Sequence, residues 1–154
     1  MRNSKPVLLV EDDSVDAMTV KRALKDIHVT NPLVRVANGE EALVYLRDET
    51  KAKPCVILLD INMPKMNGIE FLKIAKADDR LRIIPAIVLT TSKDDQDRFK
   101  TFQLSISGFI VKPVDYVKFV EAMKIVNLYW TLSELPNTEQ ETTNAKLATD
   151  TACR

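Results

Sequence analysis

The stretch that most constrains this chain runs from Cys55 to Gly68: Cys-Val-Ile-Leu-Leu-Asp-Ile-Asn-Met-Pro-Lys-Met-Asn-Gly. It opens as an unbroken apolar run, rich in branched side chains, that stops abruptly on Asp60. A run without polar alternation reads as a strand covered on both faces, the setting of a central parallel strand. The residue before Pro64 is pushed out of the α region, so Met63-Pro64 predicts an extended or turning backbone. Asn67-Gly68-Ile69-Glu70 then has the pattern of a helix start, with Asn67 as cap and Glu70 as its capping-box partner. A carboxylate at such a strand end can simply mark where the strand meets water. Here it stands on a stiff support beside an open loop, a place where chemistry is commonly found.

The flanking segments repeat the theme. Pro6 to Val10 is a short apolar run ending at Glu11-Asp12-Asp13, and Ser14 is positioned to cap a helix with Ala17, Val20, Leu24 and Ile27 at helical spacing. Leu33–Val36 reads as a second strand, followed by the cap signature Asn38-Gly39-Glu40-Glu41 and a helix with Ala42, Leu43 and Leu46 inward. A third helix runs from Asn67 to about Ala77. Ala86–Thr90 is a strand, Asp94–Leu104 a short polar helix, Phe109–Val111 a strand, and Asp115–Leu132 a long final helix. Strands alternating with helices five times over imply a parallel sheet between helices. The expected unit is residues 5–132, with 133–154 as a polar tail expected to be flexible: four acids, two bases and few apolar residues.

Composition narrows the function. Lys plus Arg balances Asp plus Glu at 22 each, which argues against a nucleic-acid footprint. No apolar segment reaches the length of a membrane span, and the amino terminus lacks a secretory apolar region, so a cytoplasmic protein is expected. Cys55 sits in the central strand and Cys153 in the tail, an arrangement that suggests no disulfide framework.

In open α/β sheets ligands bind beyond the carboxyl ends of the strands. Reading those ends gives Glu11 and Asp12, then Asp60, then Thr90, then Lys112. Unit charges ~4 Å apart at an effective dielectric near 20 interact by ~4 kcal/mol, so clustered carboxylates call for a counter-charge. Oxygen ligands that leave room for water suit Mg²⁺. A carboxylate facing a divalent ion, an ammonium and a hydroxyl is equipped to attack phosphorus and hold the resulting oxygens. The plainer reading of each pair is a solvated strand end, but four strand ends together make that reading hard to sustain.

The segments Leu9-Val10-Glu11-Asp12-Asp13, Leu59-Asp60-Ile61-Asn62-Met63-Pro64-Lys65-Met66-Asn67-Gly68, Leu89-Thr90-Thr91-Ser92 and Phe109-Ile110-Val111-Lys112-Pro113 resemble the receiver domain of bacterial two-component response regulators. The resemblance covers roughly Lys5 to Trp130. It implies an α/β, flavodoxin-like, doubly wound five-stranded parallel sheet of order 2-1-3-4-5 with helices on both faces. It also implies that Asp60 accepts a phosphoryl group from a sensor histidine kinase. Asp12 and Asp60 would hold Mg²⁺ with the backbone carbonyl of Asn62, and Glu11 would act through water. Thr90 and Lys112 would contact the phosphoryl oxygens, and Phe109 matches the family's switch aromatic. The Tyr129-Trp130-Thr131-Leu132 ending is similar to stand-alone receivers paired with phytochrome-type kinases.

Output is expected through protein contacts, because no DNA-binding or catalytic domain follows Leu132. On the last helix Tyr116, Phe119, Val120, Met123, Val126 and Trp130 form one apolar stripe. Val117, Ile125, Leu128 and Leu132 form a second on nearly the opposite side, which suggests a homodimer contact. Two rivals remain. A phosphohydrolase of the haloacid dehalogenase type also uses a strand-end aspartate with Mg²⁺, but wants a second aspartate where this chain has Asn62; the expectation is a signalling protein, not an enzyme. A phosphorelay intermediate, in place of a terminal effector, is equally compatible with the residues.

Overall fold

The structure, a computed structural model, describes residues 5–61, 65–90, 108–111 and 115–133, the side chains of 90, 108, 109, 111 and 129–133 excepted. Strands β1 (Val7–Val10), β2 (Leu33–Val36), β3 (Val56–Asp60), β4 (Ala86–Thr90) and β5 (Gly108–Val111) occur in chain order with helices α1 (Ser14–Asp26), α2 (Gly39–Arg47), α3 (Gly68–Ala77) and α4 (Tyr116–Ser133). All pairings are parallel, and the sheet order is β2-β1-β3-β4-β5. The helix expected over 94–104 and the tail beyond Ser133 lie outside the described residues.

The apolar strands are buried on both faces because each face has its own helices. Leu8, Val10, Ile57 and Leu59 pack with Leu43 and Leu46 of α2 and with Phe71 and Leu72 of α3. The alternate residues Val7, Leu9, Val56 and Leu58 pack with Val20 and Leu24 of α1 and with Phe119 and Met123 of α4. A period of two along each strand is thus served by two separate clusters. On α4 Phe119 and Met123 are buried and Tyr116, Val120 and Val126 half-buried, whereas Val117, Ile125 and Leu128 are 63%, 70% and 58% exposed.

Helix starts are fixed by side-chain caps. Asn67 accepts from Glu70 N–H at 2.9 Å, and the Glu70 carboxylate accepts from Asn67 N–H at 3.4 Å, closing the expected capping box. Asn38 accepts from Glu41 N–H at 3.0 Å. At α1 the expectation was wrong by one residue. Asp13, not Ser14, is the cap, its Oδ1 accepting from Val15 and Asp16 N–H at 2.8 and 3.0 Å. Aspartate is a strong cap in its own right, and its charge also suits the positive end of the helix. The carboxylates of Glu11-Asp12-Asp13 therefore part company: the third serves α1, and the first two remain at the strand end.

Candidate functional site

β1 and β3 are neighbours, with Val10 paired to Leu59. Their carboxyl ends therefore open side by side, and this register sets Glu11 and Asp12 beside Asp60. One carboxylate oxygen from each of these three residues lies within 4.8 Å of the others. Glu11 is fully buried, Asp60 is 8% exposed and Asp12 is exposed, so the cluster has a buried floor and a solvent-facing rim. Unit charges about 5 Å apart at an effective dielectric of about 20 repel by about 3 kcal/mol, which makes the cluster a natural seat for a cation. The donors are all oxygen, the set that a hard divalent ion such as Mg²⁺ takes, so the residues present fit the metal.

Local bonds hold the carboxylates in place. Asp60 Oδ1 accepts from Ile61 N–H at 2.9 Å, and Glu11 Oε1 accepts from Asp13 N–H at 3.1 Å. The chain after Asp60 returns to the strand end: Gly68 N–H donates to Ile61 O at 2.9 Å. A Cβ at Gly68 would stand 2.6 Å from Asp60 O and 3.0 Å from Ile61 Cα, so only glycine permits this approach. Within the loop Lys65 takes a left-handed backbone, φ 65°. A groove of about 550 Å³ lies elsewhere, beside α2, lined by Leu43, Val44, Arg47 and Met66 among others. Concentrated charge distinguishes the strand-end site among the described residues.

Of the residues expected at the site, Glu11, Asp12 and Asp60 come together. Thr90 ends β4, with its backbone paired to Val111, and Phe109 lies in β5, but the side chains of both fall outside the described residues, as do Asn62 and Lys112 altogether. Leu132 lies on α4, again without a described side chain. Sequence reading missed Arg35. From β2 its Nε donates to Glu11 O and its Nη2 to Asp12 O, both at 3.1 Å. The signal for it was a single charge inside the otherwise apolar Leu33-Val34-Arg35-Val36. His28, the lone histidine, is exposed just beyond α1 at φ 64°, away from the strand ends.

Comparison with known proteins agrees with this architecture. Residues 7–124 match the response regulator receiver domain family. The chain is 33% identical over 127 residues to the probable methanogenesis regulatory protein FilR2 of Methanothrix harundinacea, covering 80% of this chain and 82% of that one. It is 30% identical to response regulator Rcp1 of Synechocystis, over 82% of this chain and 88% of Rcp1. Among solved structures, the phosphorylated cyanobacterial phytochrome response regulator RcpA superposes with a TM-score of 0.75 at 34% identity, covering 83% of this chain and 94% of that one. The Mn²⁺-bound form of Rcp1 gives 0.73 at 30% identity, covering 82% and 94%.

Proposed function

The chain belongs to the response regulator receiver family, and on that premise we propose that it accepts a phosphoryl group on Asp60 from a sensor histidine kinase, with Mg²⁺ in the acidic cluster. The observation that carries this reading is the convergence of Glu11, Asp12 and Asp60 oxygens within 4.8 Å at the ends of two adjacent strands. The Mn²⁺-bound form of its relative Rcp1 supports a divalent ion there. Bound Mg²⁺ supplies positive charge against both the crowded carboxylates and the oxygens of the incoming phosphoryl group.

The protein's own part is positioning. The bond from Ile61 N–H to Asp60 Oδ1 sets the plane of the carboxyl group, and Oδ2 is the oxygen we assign as nucleophile. Its lone pair forms the new O–P bond as the P–N bond to the donor imidazole breaks, and the imidazole leaves with that electron pair. Asp60 reacts as the carboxylate, so no base is needed to remove a proton from it. Asn62 would contribute its backbone carbonyl to the metal, and Thr90 and Lys112 would hold the phosphoryl oxygens. Added charge at Asp60 draws the Thr90 hydroxyl inward, and Phe109 fills the space behind it, altering the β4–β5 surface.

The functional unit is residues 5–132, acting in the cytoplasm as a stand-alone regulator whose output is a protein contact. The exposed row Val117, Ile125 and Leu128, continued in sequence to Leu132, supports a homodimer through α4. The likeness to RcpA, a phytochrome response regulator, supports a phytochrome-type kinase as donor. Incubation with acetyl phosphate tests the core of this reading by intact mass. Gain of one phosphoryl group that hydroxylamine removes, seen with Mg²⁺ and absent with EDTA or in Asp60→Asn, is the expected result; gain that ignores both would overturn it.

A further inference from the structure

The stretch from Arg35 in β2 to Gly39 at the start of α2 touches both halves of the acidic site. At its start the Arg35 guanidinium reaches two consecutive backbone carbonyls, Glu11 O and Asp12 O, each at 3.1 Å. Beside that contact Glu11 N–H donates to Val36 O at 3.0 Å. At its far end Gly39 N–H donates to Met66 O at 3.1 Å, on the segment that leads from Asp60 into α3. One short piece of chain thus ties the β1–α1 turn to the loop that follows Asp60.

A charge on an edge strand has an ordinary explanation, a solvated side chain that discourages edge-to-edge pairing. That role requires no fixed partner. Arg35 instead has two, and both are carbonyls of residues whose carboxylates enter the cluster. Hydrogen bonds from an ionised donor are the stronger kind, and the planar fork can hold two acceptors in one orientation.

Building on the reading of Glu11, Asp12 and Asp60 as the metal site, we propose that Arg35 is a positioning residue for that site: its fork fixes the Glu11–Asp12 backbone, and with it the directions from which two carboxylates meet Asp60. Two effects of the side chain oppose each other. Positioning favours the metal, whereas the positive charge disfavours a second cation nearby. Arg35 is exposed, so water and salt screen its charge, and positioning dominates. Loss of a group that orients metal ligands costs roughly 10–100-fold in affinity; one part-buried and one exposed bond place Arg35 at the lower end.

Calorimetric titration of the whole chain with Mg²⁺, at a temperature where circular dichroism shows every variant folded, separates these effects. Arg35→Gln removes fork and charge, while Arg35→Lys keeps the charge and loses the fork. Both are expected to raise the Mg²⁺ Kd by about tenfold. Tighter binding in Arg35→Gln with parental binding in Arg35→Lys would mean that charge governs, and would overturn the proposal. Parental Kd values in both variants would overturn it while leaving the metal site intact. No Mg²⁺ binding by the parent would overturn the metal reading and this proposal with it. A second readout needs no metal: exchange of the Asp13 amide, bonded to Glu11 Oε1, should quicken in Arg35→Gln. Unchanged exchange there would contradict a role in fixing the turn.

Discussion

Replacing Gly68 with alanine tests how the Asp60 loop is closed. Gly68 is the first residue of α3, where alanine would ordinarily stabilise the helix by up to about 1 kcal/mol. The structure reverses that sign. The added methyl would sit 2.6 Å from Asp60 O, 3.0 Å from Ile61 Cα and 3.4 Å from Asp60 C. All three are backbone atoms of the central strand's end, so no rotamer change can relieve the contact. Opening it strains or breaks the 2.9 Å bond from Gly68 N–H to Ile61 O. A lost hydrogen bond of about 1 kcal/mol and an overpacking cost of about 1–3 kcal/mol exceed the propensity gain. The net expectation is a loss of about 1–3 kcal/mol, at about 2–4 °C of Tm per kcal/mol for a chain of this size. Urea unfolding followed by circular dichroism measures it. Gly39→Ala is the comparison, because its methyl meets chiefly the flexible end of Met66, with Cγ at 2.8 Å and Sδ at 2.9 Å, besides Phe71 Cβ at 3.0 Å. It should cost less, and Met66→Ala in that background should recover part of the loss. A Gly68→Ala variant as stable as the parent would refute the close approach.

Two further outcomes follow from the surface. Leu128→Glu, on the exposed row of α4, should reduce the sedimenting mass from dimer to monomer if that row is the contact; unchanged mass would remove this face from the account. The Asp48 carboxyl is held below its ordinary pKa by hydrogen bonds from the Thr50 hydroxyl at 2.6 Å and Thr50 N–H at 2.9 Å. A lowered folded value contributes stability that is present above the unfolded pKa and lost as pH falls through the folded one. Thr50→Val should move the carboxyl back toward its ordinary range in an NMR titration, and an unmoved value would contradict the assignment.

The strands were legible because their signal is local: an apolar run without alternation has one physical use, burial on both faces, and β3 meets it with two separate clusters. The Asn38 and Asn67 caps were legible for the same reason, since each cap's partner lies within one helical turn. Asp13 was read as part of an acidic group because sequence cannot tell which carboxylate turns back to cap a helix. Arg35 and Gly68 lay beyond reading for another reason. Their roles depend on backbone atoms brought from distant or looped segments, Glu11 and Asp12 in one case and Asp60 and Ile61 in the other. A charged residue in an edge strand and a glycine after a cap each look ordinary until those carbonyls arrive.

The most direct test of the central claim is to locate the phosphoryl group itself. An acyl phosphate on aspartate is reduced by borohydride to homoserine, so treatment after phosphorylation with Mg²⁺ marks the acceptor chemically. Peptide sequencing by mass spectrometry should find homoserine at position 60 and aspartate at position 12. The mark at another carboxylate, or none at position 60 in protein that has gained phosphate, would contradict the account.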